Sequence, residues 1–160
     1  MLETVARHTR RLQIVCAALL ASLAGYAGVV TAVPLAVPPA LPQGEPLLWG
    51  FAFLAAVNLV TIMPVYRAML AGPRRVYTVG QQPERLLAAH FSAHIVAFAR
   101  LEAVAVLGLV LHFLTGRQDW FWIFTGVAAV GMVLLWPKRN KVGALLAVPG
   151  EPGLQVPSPH

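Results

Sequence analysis

Four runs of apolar residues, each bounded by charge or proline, restrict this chain more than any other feature. They cover about residues 12–33, 47–70, 86–114 and 120–136. A helix needs about 20 predominantly apolar residues to cross the hydrocarbon core of a bilayer. Gln13, Ser22 and Thr31 are the polar interruptions of the first run, and Asn58 and Thr61 those of the second. Only 11% of the chain is charged, against roughly 25% in soluble domains, so an ordinary hydrated surface is out of reach. The expectation is an all-α integral membrane four-helix bundle.

The segments between the runs read as connectors. In "PLAVPPALPQGEP" (34–46) five prolines remove backbone donors, which predicts an extended surface loop. The second connector, "AGPRRVYTVGQQPE" (71–84), is basic, and the third, "TGRQD" (115–119), is short. After the membrane domain, the segment 148–160 repeats Pro and Gly without an apolar period and is expected to be disordered.

Charge predicts the orientation. Arg7, Arg10 and Arg11 precede the first run, Arg67, Arg74, Arg75 and Arg85 surround the second connector, and Lys138, Arg139 and Lys141 follow the fourth run. The other two connectors hold only Arg117 as a cation, beside Glu45 and Asp119. That asymmetry predicts cytoplasmic N- and C-termini, and an even number of spans agrees, since it returns the chain to the side on which it began. Trp49, Trp120 and Trp122 would mark the outer interface, and Tyr66, Tyr77 and Trp136 the inner one. Arg10 and Arg11 before an apolar stretch ending in "VTA" also outline a cleavable signal peptide. The run is longer than a usual signal core, and Pro34 falls close to the would-be scissile bond. High Ala, Leu, Val and Arg usage with few Lys is characteristic of GC-rich bacterial genomes, so a bacterial plasma membrane is the expected location.

The stretch "FARLEAVAV" (98–106) puts Arg100 and Glu102 near the middle of the third run. Insertion of a central Arg or Asp costs roughly 2.5–3.5 kcal/mol, so each group needs company inside protein. Two residues apart, they diverge by about 200° around a helix and cannot face each other. Ser22 and Asn58 fall at the same depth in the first two runs, which predicts a polar cluster of Glu102, Arg100, Asn58 and Ser22. Candidate partners for Glu102 are Asn58 or the Arg100 of a second copy. For Arg100 they are Ser22, Asn58 or a neighbour's Glu102.

His90, His94 and His112 lie within about 40° of one another on the third helix. Two His four apart can share a metal, and membrane histidines can hold haem. Runs one, two and four contain no His, so a haem would need a second copy or another subunit. The plainer alternative is hydrated histidines near the two interfaces. No cofactor is otherwise expected.

Ala17, Ala21, Ala24, Gly25 and Gly28 place small side chains on one face of the first helix, and Gly126 and Gly131 do so in the fourth. Such faces allow close helix approach. Cys16 stands alone and cannot form an intrachain disulfide. No phosphate-cradling Gly loop, zinc-spaced Cys/His set or nucleophile elbow is present, so catalysis is not expected. The Lys and Arg clusters lack the interleaved aromatics of a nucleic-acid platform.

From residue 79, "VGQQPERLLAAHFSAHIVAFARLEAVAVLGLVL" resembles the loop and second helix of the rotor-ring proteolipid, subunit c of rotary ATP synthases. The resemblance implies that Gln82 and Pro83 match that family's polar loop and Glu102 its ion-carrying carboxylate. The interval is about one residue longer here, Gln81 stands where the family has Arg, and Arg100 lies beside the carboxylate. Three functions follow as expectations. The first is an accessory or assembly component working through helix–helix association, as a homo-oligomer or with other membrane subunits. The others are a small proton- or cation-translocating oligomer using Glu102, and a haem or metal anchor using the third-run histidines.

Overall fold

The computed structural model describes residues 2–33, 44–80 and 83–146. These form five helices: α1 (Leu2–Ala32), α2 (Gly44–Gly80), α3 (Pro83–Thr115), α4 (Gln118–Leu134) and the short α5 (Arg139–Leu146). No strand occurs among the described residues. Three of the helices are long and apolar enough to cross a membrane, and α4 is a shorter apolar helix of 17 residues. At 1.5 Å per residue α4 is about 25 Å long, whereas the 33 residues of α3 reach about 50 Å.

Helix α3 is the axis of the bundle. It packs against α1, α2 and α4, and α1 also touches α4 and α5. Contacts at matching positions define the directions. His8 meets His90 and Ser22 meets Glu102, so α1 runs parallel to α3. Tyr66 meets His94 and Thr61 meets Arg100, so α2 is antiparallel, and the Gly108–Phe124 and Gly131–Leu101 approaches make α4 antiparallel as well. The start of α1, the end of α2, the start of α3 and α5 therefore meet at one end, together with most of the cations.

The main core joins all four long elements through Cys16 and Leu23 of α1, Ala55 and Ile62 of α2, Phe98 and Leu101 of α3, and Phe124 and Met132 of α4. A second core at the basic end holds Val5, Tyr77, Leu86, Leu87, Val142 and Leu146. There Tyr77 donates to the Leu146 carbonyl at 2.8 Å, and Gln13 donates to the Pro137 carbonyl at 3.2 Å. These bonds tie α5 to the bundle. The two-residue turn from α3 to α4 needs a left-handed residue to close it. Gly116 supplies φ 70°, and its N–H caps α3 on the His112 carbonyl.

Several sequence expectations change. The basic segment expected as a connector over 71–84 is helix through Gly80, because α2 continues past both Pro64 and Pro73. Proline removes a backbone hydrogen bond, and helices in apolar surroundings tolerate this where neighbouring groups take up the freed carbonyl. α5 was not expected at all. The small-residue face of α1 is not used inside the bundle: Ala17, Ala21, Ala24, Gly25 and Gly28 are all exposed. Neither Gly25 nor Gly28 has another atom within 4 Å of where a Cβ would stand, and Gly126 likewise has none. Gly131 does serve close packing, since a Cβ there would meet Leu101 Cδ2 at 2.5 Å; Gly108, unremarked in the sequence, would meet Phe124 Cβ at 2.6 Å. Most of the proline-rich connector 34–46 and the segment 148–160 lie outside the described residues.

Candidate functional site

Polar side chains collect at two levels of α3. At mid-length, α3 sends Arg100 and Glu102 to opposite flanks, as their separation around the helix requires. Glu102 faces α1. Its Oε1 lies 2.7 Å from Ser22 Oγ and accepts from the Tyr26 hydroxyl at 2.9 Å. Arg100 faces α2 and donates to Thr61 Oγ1, which itself donates to the Val57 carbonyl. Neither charge pairs with the other, and the ion pairs among the described residues, Arg7–Glu3 and Arg117–Asp119, are both at exposed helix ends.

Ser22 is a hinge in this network. Its single hydroxyl proton has two acceptors in reach, the Leu19 carbonyl and the Glu102 carboxylate, each at 2.7 Å. An ionised carboxylate takes the Ser22 proton. A carboxylic acid instead donates its own proton to Ser22, which then turns to Leu19. The node thus closes its hydrogen bonds with either form of Glu102.

Of the four residues expected at this depth, the structure joins Ser22 to Glu102 but separates Arg100, which reaches neither Ser22 nor Asn58. Asn58 donates to the Leu54 carbonyl one turn back on its own helix. It nevertheless lines, with Glu102, Tyr26 and Leu107, a shallow hollow of about 560 Å³ on the side of the bundle between α1 and α2. Sequence reasoning missed Tyr26 and Thr61 as partners. The signal for Tyr26 was its place one turn beyond Ser22, on the same face and nearly the same level.

The second level lies near the basic end. His8 Nε2 is 3.3 Å from His90 Nδ1, and the His90 and His94 rings stand 4.4 Å apart. The Tyr66 hydroxyl is 3.2 Å from His94 Nδ1. His112 stands 18 residues from His94, about 27 Å along the helix, so the three histidines do not converge on one site. His112 is buried beside Phe113 and Phe121 at the other end of α3, and neither ring nitrogen has a hydrogen-bond partner among the described residues. No group of three or more His, Cys, Asp or Glu among the described residues is placed to hold a metal ion.

At the α3–α4 turn Arg117 donates to Asp119 at 2.7 Å and lies 5.6 Å from the Trp120 ring. The hydrogen bond from Arg117 holds the Asp119 carboxyl below the usual range, and the same bond raises Arg117. No protein-family model matches the chain, and no curated protein or solved structure matches it either.

Proposed function

We propose that this is a multi-pass membrane protein, with both termini cytoplasmic, that works by helix–helix association with a second copy or another membrane subunit. One observation carries this reading: the face of α1 built from Ala17, Ala21, Ala24, Gly25 and Gly28 is exposed, and a Cβ placed on Gly25 or Gly28 would meet no neighbouring helix. Small residues lower the cost of close helix approach in lipid, where apolar burial gives helices no drive to associate. A face so shaped, left open along most of a span, suits a partner helix.

The test is co-purification of two differently tagged copies, and of native partners, from membranes in mild detergent. Gly28→Leu adds bulk where the chain itself has open space, so the monomer should keep its thermal stability while association falls severalfold. A stable monomer with no partner, or association indifferent to Gly28→Leu and Ala24→Leu together, would overturn the reading.

A second reading is favoured by the Ser22 hinge. A carboxyl group whose hydrogen bonds close in both protonation states, beside a hollow at mid-depth, suits proton or cation transfer. The rotor-proteolipid resemblance would give Glu102 the same role. Glu102→Gln in proteoliposomes should then abolish ion flux and spare self-association. Unchanged flux would remove this alternative. A haem or metal anchor on His90, His94 or His112 would need ligands from outside the described residues.

A further inference from the structure

At the basic end of the bundle, α2, α3 and the α4–α5 junction enclose a cavity of about 510 Å³. Its rim carries Arg67 and Arg74 from α2, Lys138 from the junction and Lys141 from α5, while Tyr66, His90 and His94 form its polar wall. Leu70, Ala97, Leu135 and Val142 supply apolar lining. No carboxylate lines it, and none of the four rim cations forms an ion pair among the described residues.

We infer that this cavity binds a phosphate-bearing anion at the membrane surface. A positive-inside bias needs cations near helix ends, but it does not require four of them, from segments some 70 residues apart, to converge on one concavity. Like charges gathered without a counterion repel, and a phosphate oxygen set is the ligand that turns the repulsion into charge-assisted hydrogen bonds. Basic pockets between membrane helices on the cytoplasmic side take lipid headgroups for this reason. The wall adds a neutral donor. His94 Nδ1 lies within reach of both Tyr66 Oη and the His90 carbonyl, 3.3 Å away. A hydroxyl and an imidazole N–H can both donate, so this wall can turn a neutral hydrogen bond toward an anion in the cavity. The apolar lining would pack against a glycerol and the first acyl carbons of a lipid. A soluble phosphate compound shares the headgroup chemistry.

This inference shares only the lipid environment with the proposed function, and either can fail while the other stands. The experiment measures binding of short-chain phosphatidylglycerol to the purified full chain in neutral detergent, with short-chain phosphatidylcholine as reference. Phosphatidylglycerol should bind saturably and at least about tenfold more tightly. Arg74→Gln with Lys141→Gln should weaken it by about tenfold or more, since each cation near a membrane surface contributes on the order of a fivefold factor. Arg10→Gln with Arg11→Gln, which removes two cations from the same end outside the cavity, should change it less than about twofold. Competition by millimolar glycerol phosphate or inorganic phosphate would assign the site to soluble anions. Absence of competition would assign it to lipid, and both results uphold the site. No preference over phosphatidylcholine, or equal weakening by the two variant pairs, would overturn it. Should the cavity variant fail to fold, photoactivatable phosphatidylglycerol on the unmodified chain decides: adducts within 63–74 and 135–142 support the site, and adducts elsewhere overturn it.

Discussion

Helices α2 and α3 make an instructive pair. Their candidate spans are equally long, 33 residues, and equal in mean hydropathy, yet 44% of the most apolar stretch of α3 is buried against 11% for α2. Hydropathy does not separate them, because lipid is as apolar as a protein core. What separates them is polar content. α3 carries Arg100, Glu102 and three histidines, and each must turn to protein or to a polar edge. α2 carries only short polar groups in its middle, and Asn58 and Thr61 satisfy themselves on carbonyls of their own helix. In this bundle the helix with the most ionisable groups is at the centre and the one that needs least sits at the edge.

The comparison is sharpest where packing is probed. Phe98 of α3 is 0% exposed and Phe53 of α2 is 69% exposed. Phe98→Ala should cost about 3 kcal/mol in unfolding free energy, and Phe53→Ala should stay within about 0.5 kcal/mol. Reversible unfolding in mixed micelles measures both, and equal costs would break the contrast. Glycines give the next largest effect. Gly108→Ala forces a Cβ against the Phe124 side chain, with Phe121 backbone close behind, and should destabilise by about 1–3 kcal/mol. Gly50→Ala, in open space on α2, should be neutral or stabilising by up to about 1 kcal/mol.

Polar links between the two helices should be weaker still. A double-mutant cycle on Arg100→Gln and Thr61→Val should return a coupling near 0.6 kcal/mol and no more than about 1.7, the range of interhelical hydrogen bonds in membranes. Zero coupling would mean that Arg100 is held by something other than α2. The smallest effect lies outside the bundle proper. Asp119 titrates below its ordinary value because Arg117 donates to it. Its contribution is therefore present above the unfolded carboxyl value near 3.8 and disappears as pH falls through the lower native one. Asp119→Asn should lower the thermal midpoint slightly at pH 7, and the gap should shrink as the solution is acidified below the unfolded carboxyl value. A gap that widened with acid would reverse the assignment.

Much of this arrangement is legible along the chain. The apolar runs fix the helices, and the mid-depth coincidence of Ser22 and Glu102 brings that pair to notice, because depth is a one-dimensional quantity that sequence position measures directly. Rotation about the helix axis between neighbours is not. Asn58 shares the depth of Glu102 and the hollow beside it yet bonds only to its own helix, and Thr61, three residues on, is the residue that faces Arg100. Tyr66 was legible as an interfacial aromatic, but its contact with His94 depends on how α2 rolls against α3. His8 fell outside the first apolar run, and only the extension of α1 back to Leu2 carries it to His90. The helical course of 71–80 stayed hidden because Pro73 and two glycines, Gly72 and Gly80, carry the signature of a turn.

The most direct measurement is a spin-label scan of α2 and α3 in bilayers, on a Cys16→Ala background, reading accessibility to oxygen dissolved in lipid. At positions 97, 101, 104 and 105 of α3, labels should be shielded, while positions 99, 103 and 106 and the α2 positions 53, 57 and 60 should be accessible, with a period near 3.6 residues. Uniform accessibility around α3, or a chain that partitions into buffer without detergent, would contradict a central α3 whose ionisable side chains are held by its neighbours.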